Sequence, residues 1–139
     1  MRIVADTNTA LSGLLWQGPP RRLIDLARER VLTLCTSIAL LAELAEVIGR
    51  PKFAARVHAA GLSAADLVQD YADLADITVP APLSEPVCRD PDDDLALATA
   101  LAAEASLIVS GDRDLLSLGA FRNIRILAAV DALAAIDRN

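Results

Sequence analysis

The sequence contains few of the residues that mark zinc sites or redox sites. Its 139 residues include one histidine, one lysine, two cysteines and four aromatic side chains. Cys35 and Cys88 lie far apart, in neither a metal-binding nor a redox spacing, so we expect both to be reduced, buried apolar residues. The single histidine, His58, is expected to lie on the surface without a catalytic role.

Long hydrophobic runs are also absent, because charged residues interrupt every apolar stretch well before the ~18 residues of a membrane-spanning helix. The chain starts with a short apolar run and lacks the basic region and long apolar segment of a signal peptide. We therefore expect a cytoplasmic protein with no membrane contact. The length suits one folded domain over residues 1–139 and is too short for two, and the 54% hydrophobic content is sufficient for a core.

Positive charge is in deficit, and the net charge is −6 at pH 7. A protein that binds nucleic acid through the phosphate backbone alone is expected to be basic. Binding to nucleic acid therefore requires bound cations, a local arginine-rich patch or a basic partner. Four arginines are candidates for such a patch, with a solvated helix face as the default interpretation: Arg21, Arg22, Arg28 and Arg30. Trp16 is expected to pack or to contact a partner rather than to stack on a base.

Short apolar runs alternate with helical patterns along the chain. The predicted strands are residues 3–5, 31–35, 77–79, 107–109 and 124–127. The predicted helices are residues 9–16, 21–30, 38–48, 51–60, 64–75, 95–105, 113–118 and 130–136. This order predicts an α/β fold with a central parallel sheet of about five strands flanked by helices. The helical pair around residues 51–75 interrupts the alternation and is expected to stand beside the sheet as an insertion.

Two carboxylates follow predicted buried strands. Asp6 comes directly after the apolar run that ends at Ala5, and Asp112 follows residues 107–109 by a short turn. Because the carboxyl ends of parallel strands meet at one edge of the sheet, where open α/β sheets bind ligands, we expect both side chains there. Glu43 lies one turn into the predicted helix 38–48 and close to the same edge.

A fourth acidic position is the cluster from Asp90 to Asp94, which precedes the predicted helix 95–105. Carboxylate oxygens are suited to Mg²⁺ or Mn²⁺, and the lack of histidine and cysteine among these residues argues against zinc. Carboxylates that converge without a cation repel one another strongly. Each motif alone also has a structural explanation, as a strand-ending turn, a helix cap or an acidic first turn. Their combination at one edge predicts metal-dependent hydrolysis of a phosphodiester bond.

Four segments carry a family resemblance: residues 4–8 (VADTN), Glu43, residues 89–94 (RDPDDD) and residues 108–116 (IVSGDRDLL). In order and spacing the chain resembles a PIN domain, and it is most similar to the VapC-like ribonuclease toxins of bacterial toxin–antitoxin pairs. The resemblance implies an endoribonuclease that uses Mg²⁺ or Mn²⁺ and acts on RNA. It also implies a cognate antitoxin and a tendency to form a homodimer.

The resemblance assigns roles to individual residues. The implied catalytic residues are Asp6, Glu43, Asp93 and Asp112, and the implied metal ligands are Asp6, Asp93, Asp94 and Asp112. Asp93 is preferred over Asp94, but residues 95–98 are apolar nearly all round, so helical phase does not separate the two. Supporting roles, in orienting ligands or water or in capping a helix, fall to Asn8, Asp90, Ser110 and Asp114. For Asp114, approach to the metal and capping of its own helix are equally compatible with the sequence.

Two other functions are compatible with clustered aspartates. One is phosphoryl transfer through an aspartyl intermediate, as in receiver domains, which usually requires a lysine or arginine near the phosphoryl group. Lys52 is the only lysine, and we expect it to lie far from the carboxylate edge. The other is a catalytically idle PIN-like module that binds RNA or protein.

Overall fold

A computed structural model describes residues 1–137 of the chain. The strands are β1 (Arg2–Ala5), β2 (Thr33–Thr36), β3 (Asp76–Ile77), β4 (Leu107–Val109), β5 (Ala120–Phe121) and β6 (Ile124–Leu127). The helices are α1 (Thr7–Leu15), α2 (Pro19–Arg28), α3 (Ile38–Ile48), α4 (Ala54–Ala59), α5 (Ala64–Leu74), α6 (Pro91–Ala103), α7 (Arg113–Leu118) and α8 (Ala129–Asp137). A 3₁₀ turn at Pro51–Phe53 precedes α4. Every helix within residues 1–137 is too short or too polar to span a lipid bilayer.

The strands form one six-stranded sheet in the order β3-β2-β1-β4-β6-β5. Neighbouring strands are parallel except for β5 and β6, which are antiparallel. The chain runs outward from β1 through β2 to β3 and then returns to the other side of β1 as β4. The register pairs Ala5 of β1 with Val109 of β4. The order in which strands are added to the sheet therefore reverses between β1 and β4, although the two strands are parallel. This reversal opens a crevice beyond their carboxyl ends.

The predicted α/β fold with a mostly parallel, helix-flanked sheet is confirmed, but the expected number of about five strands is one too few. The extra strand, β5, is two residues long and runs antiparallel at the sheet edge. Such a short strand has no alternation of apolar and polar residues to reveal it. The predicted strand 31–35 is shifted to Thr33–Thr36, and the predicted strand 77–79 to Asp76–Ile77.

Helix α6 begins at Pro91, four residues before the predicted start at residue 95. Proline suits the first helical position, and the Asp90 side chain accepts a hydrogen bond from the Asp92 N–H at 2.9 Å, which caps the helix. Asp92, Asp93 and Asp94 therefore occupy the first turn of the helix. The predicted helix 51–60 begins instead as the 3₁₀ turn, so the helical pair consists of α4 and α5.

Two apolar cores lie on opposite faces of the sheet. Successive side chains of a strand point to opposite faces, so Ile3 belongs to one core and Val4 to the other. In the same way β4 contributes Leu107 and Val109 to the first core and Ile108 to the second. Because both faces are covered, the central strands are continuous apolar runs, as the sequence predicted.

A buried pair of hydroxyl groups fixes α3 relative to α6. Ser37 caps α3 by accepting a hydrogen bond from the Leu40 N–H at 3.3 Å. The Ser37 hydroxyl is also 3.1 Å from the Thr99 hydroxyl of α6, which in turn donates to the Leu95 carbonyl. Ser37 and Thr99 are both fully buried. The helix that carries Glu43 and the helix that starts in the acidic cluster are therefore held together by a buried polar contact.

Helices α1 and α2 approach closely at Gly13. A Cβ atom at this position would lie 2.6 Å from Cδ1 of Ile24 and 2.9 Å from the backbone oxygen of Pro20. The isoleucine methyl group can move, but the backbone oxygen cannot move without shifting α2. Gly13 is therefore required by the packing of the two helices.

We predict that Gly13→Ala lowers the free energy of unfolding by about 1–2 kcal/mol, because the cost of overpacking exceeds the gain in helix propensity. Gly111→Ala is the matched control, because a Cβ atom at Gly111 meets nothing within 4 Å. Urea unfolding of both variants measures the difference. A Gly13→Ala midpoint at or above that of the wild type would show that the helices are not closely packed at this position.

Candidate active site

Hydrogen bonds join the ends of β1 and β4 into one polar unit. Asp6 follows β1 and caps α1, its Oδ1 atom accepting from the Thr9 N–H at 2.9 Å. Its Oδ2 atom accepts from the Ser110 hydroxyl, which itself accepts from the Asp112 N–H at 2.9 Å. Asp6 and Ser110 are buried. The Asp6 carboxylate is therefore fixed in place at the crevice between β1 and β4.

Asp112 caps the short helix α7. Its Oδ1 atom accepts from the Asp114 N–H at 2.9 Å and from the Leu115 N–H at 3.1 Å. One carboxylate oxygen from each of Asp93, Asp112 and Asp114 lies within 4.8 Å of the other two. These three half-buried residues, which we name the aspartate triad, form the most compact acidic group among residues 1–137.

Glu43 and Asp6 contribute carboxylates beside this triad. Oε2 of Glu43 is buried and has no hydrogen-bond partner among the described residues. Burial raises the pKa of Glu43, and the nearby charges of Asp92, Asp90 and Asp6 add to the effect. The Thr7 hydroxyl opposes the shift in pKa, although it forms no hydrogen bond of regular geometry with the carboxyl group.

A cavity of about 370 Å³ lies above these carboxylates. Six acidic side chains of the predicted site region line it: Asp6, Glu43, Asp90, Asp92, Asp93 and Asp112. Asn8 lines it too, whereas Ser110 is below it and acts through Asp6. Asp114 stands at its side, where its carboxylate pairs with the guanidinium of Arg89 at 2.8 Å. The sequence-predicted residues are thus gathered in one place, with one exception.

The exception is Asp94, which does not line the cavity. Its two oxygens accept hydrogen bonds from the backbone N–H groups of Val87 and Cys88, at 3.1 and 2.7 Å. Asp94 therefore anchors the loop before α6, while Asp93, one residue earlier, faces the cavity. The structure thus places the two aspartates differently, which helical phase could not do, and the assignment of either one as a metal ligand stays a prediction.

The expected remoteness of Lys52 is wrong, because Arg50, Lys52 and Phe53 form one wall of the acidic cavity. The 3₁₀ turn folds this segment back toward the end of the sheet. Glu43 and Glu46 are three residues apart and lie on one face of α3, and Arg50, just beyond the end of the helix, pairs with Glu46 four residues earlier. That spacing was the signal in the sequence that could have placed the basic segment at the site.

Both cysteines are free; Cys35 is buried, and Cys88 is only half-buried. His58 is exposed, as predicted. The four arginines do not form an unpaired patch, because Arg22 pairs with Glu29 and Arg28 pairs with Asp70.

Burial and repulsion from neighbouring carboxylates both act on the pKa of Asp93. Burial, followed by the charges of Asp112, Asp90, Asp6 and Asp114, raises the pKa of Asp93 to about 6. A divalent cation would remove this repulsion, since it is bound by carboxylate oxygens. The donor set contains no thiol or imidazole, so it fits a hard cation such as Mg²⁺ or Mn²⁺ rather than Zn²⁺.

We predict that, without metal, Asp93→Asn is more stable than the wild type by about 1 kcal/mol at pH 7.5, after allowance for solvent screening. The folded-state pKa lies above the value of 3.8 expected in the unfolded chain, so the free energy of unfolding falls as the pH rises from there to about 6, and the whole loss is present above pH 6. Below this pH the wild type takes up the proton and the difference shrinks. Urea unfolding in chelator between pH 5 and pH 8 tests this, and a difference independent of pH would contradict it.

Comparison with known proteins gives one family match. A model of the PIN domain matches residues 2–114, which include all the carboxylates of the cavity and the aspartate triad. Searches of curated proteins and of solved structures each gave no match. The matched residues span most of the chain and contain the first three motifs and residues 108–114 of the fourth. The chain therefore belongs to the PIN-domain family.

Proposed function

We propose that this protein is a metal-dependent endoribonuclease that hydrolyses phosphodiester bonds of RNA. PIN domains are generally nucleases, and the chain carries the family match over residues 2–114. The single observation that carries the proposal is the aspartate triad, in which one carboxylate oxygen of each residue lies within 4.8 Å of the other two, at a cavity that Asp93 and Asp112 line. Such a concentration of negative charge is unfavourable without a bound cation.

The aspartate triad of Asp93, Asp112 and Asp114 would hold Mg²⁺ or Mn²⁺. When bound, such a cation activates a water molecule and stabilises negative charge on the phosphate. Asp6, held by the Ser110 hydroxyl, directs a fixed carboxylate toward the same space. The half-buried carboxyl of Glu43, with its raised pKa, is suited to exchanging a proton with the attacking water or the departing oxygen.

The proposal extends to the biological role. Similarity of the motifs to VapC-like proteins supports a toxin that a cognate antitoxin protein holds inactive, and a homodimeric state. A cytoplasmic location accords with a ribonuclease of this kind. The alternative is an idle PIN-like module that binds RNA or protein without cleaving it, and the cleavage assay below separates the two.

We predict that the wild type cleaves a mixed RNA pool in Mn²⁺ or Mg²⁺ and not in chelator. Asp93→Asn and Asp112→Asn should each lower the rate by at least about 100-fold, because each removes a carboxylate from the triad. Asp94→Asn is the matched control. It makes the same chemical change one residue away, outside the cavity, so its rate should stay near that of the wild type.

The result that contradicts the metal assignment is cleavage that persists in chelator or in Asp112→Asn. Loss of cleavage in Asp94→Asn but not in Asp93→Asn, with both variants folded, would reverse the choice between these two aspartates. If folded wild-type protein binds RNA but cleaves none in either metal, the idle module is the correct description.

We predict that induced expression in a bacterial host arrests growth with the wild type and not with Asp112→Asn at equal protein level. Growth arrest by a ribonuclease requires its catalytic site. Growth curves with immunoblots provide the measurement. Normal growth with an enzyme that is active in the purified state would contradict the toxin role while leaving the nuclease assignment in place.

A further inference from the structure

Aromatic side chains are rare in this chain, yet two of the four lie together beside the acidic cavity. The rings of Trp16 and Phe53 are in edge-to-face contact, with centroids 6.1 Å apart. Phe53 lines the cavity, and Trp16 remains 38% exposed. Trp16 is therefore not enclosed in the core, and part of the residue is accessible from solvent.

A cation lies over each of these rings. The Lys52 ammonium is 5.1 Å from the centroid of Phe53, and the Arg56 guanidinium is 5.3 Å from the centroid of Trp16. The four residues, in the order Lys52, Phe53, Trp16 and Arg56, form what we name the aromatic–cationic ledge. Its two cations are exposed.

The charges of the ledge are not neutralised by carboxylates. Among residues 1–137, neither Lys52 nor Arg56 forms an ion pair, whereas neighbouring Arg50 pairs with Glu46 at 2.8 Å. Arg56 instead donates a hydrogen bond to the Leu15 carbonyl at 2.6 Å, which holds its guanidinium in place over Trp16. The ledge therefore presents two positive charges without ion-pair partners among the described residues, on a protein whose net charge is −6.

The ledge also joins two cavities. At one end, Lys52 and Phe53 line the acidic cavity. At the other end, Arg56 lines a second cavity of about 410 Å³, whose wall also contains Arg21 and Gln17. A linear polymer that extends from the acidic cavity over Phe53 would therefore pass Trp16 and Arg56 and then reach the second cavity.

We propose that the aromatic–cationic ledge binds single-stranded RNA next to the bond that is cleaved. In this arrangement Lys52 contacts a backbone phosphate and Trp16 stacks on an unpaired base. Grooves for single-stranded nucleic acid combine the same two elements, positive charge for the backbone and aromatic rings for the bases. The inference rests on the proposed ribonuclease function and names side chains outside the carboxylate site that position the RNA strand.

Single-stranded RNA fits the ledge better than duplex RNA does. Stacking on Trp16 requires a base whose face is free, and in a duplex each base is already stacked on its neighbours. The ledge also supplies the local positive charge that an acidic protein needs to hold a phosphate backbone. Trp16 and Lys52 are thus residues that position the substrate, while the carboxylates perform the reaction.

The experiment measures binding separately from cleavage. Fluorescence anisotropy with a labelled, randomised single-stranded oligoribonucleotide, in chelator and over a range of salt, gives the Kd and its salt dependence. The same strand annealed to its complement gives the duplex value. The variants are Lys52→Gln, Trp16→Ala and Trp16→Phe, with thermal melts to confirm folding.

Arg122→Gln is the matched control. The Arg122 guanidinium lies 5.2 Å from the ring of Phe121, so it forms the same kind of pair and carries the same charge. It is placed in the turn between β5 and β6 and lines neither of the two cavities.

We expect Lys52→Gln to weaken binding and to lower the slope of log Kd against log salt by about 0.7, the value for one phosphate contact with a single strand. Trp16→Ala should raise the Kd by about tenfold without changing that slope, and Trp16→Phe should restore most of the affinity. Arg122→Gln should match the wild type, and the duplex should bind more weakly than the single strand. In the cleavage assay, Lys52→Gln should raise KM more than it lowers kcat.

Three results would overturn the proposal: equal binding by wild type and folded Lys52→Gln and Trp16→Ala, an equal loss in Arg122→Gln, or tighter binding of the duplex. Failure of the proposed function looks different. In that case the wild type cleaves no RNA with metal, while the variants of the ledge still lose single-strand affinity, and the ledge stands as a binding site. If the wild type cleaves RNA with metal but the ledge variants bind RNA as tightly as the wild type does, only this inference is refuted.

Discussion

Repulsion among carboxylates at one edge of the sheet is the constraint on which the rest of this structure depends. The protein places three of them, Asp6, Asp90 and Asp112, at positions where they also cap helices. A helix N-terminus offers unpaired N–H groups and the positive end of the helix dipole, so it stabilises a negative charge. Each cap therefore offsets part of the repulsion and fixes the carboxylate. Asp93 caps nothing, and it is the aspartate whose pKa is raised to about 6.

Local sequence carried most of the information on the fold and on the carboxylates. Asp6 and Asp112 were found because a polar residue after a buried strand must lie at the sheet edge, and the register of Ala5 with Val109 brings the two together. The choice between Asp93 and Asp94 was not available, since it depends on where the irregular loop before α6 runs and on its N–H groups at Val87 and Cys88. Such loops carry no periodic signal.

The position of Lys52 beside the cavity also depends on an irregular segment and was not predicted from the sequence. Its distance in sequence from the aspartates suggested remoteness, but the 3₁₀ turn after α3 returns the chain to the cavity. The consequence is a site of mixed character, with carboxylates at the sheet edge and cations on the adjoining wall. A protein of net charge −6 can then attract a phosphate backbone locally while it repels nucleic acid elsewhere. In the proposed ribonuclease function, the carboxylates would bind the metal ion and the adjoining cations would bind the RNA backbone.

The central claim is that the carboxylates of Asp93, Asp112 and Asp114 form a divalent-cation site. Its most direct test is diffraction from crystals grown with Mn²⁺, recorded at a wavelength where manganese scatters anomalously. The account predicts an anomalous peak within bonding distance, about 2.2 Å, of oxygens from these residues. The absence of a peak there at saturating Mn²⁺, or a peak bound instead by Asp94, would contradict it.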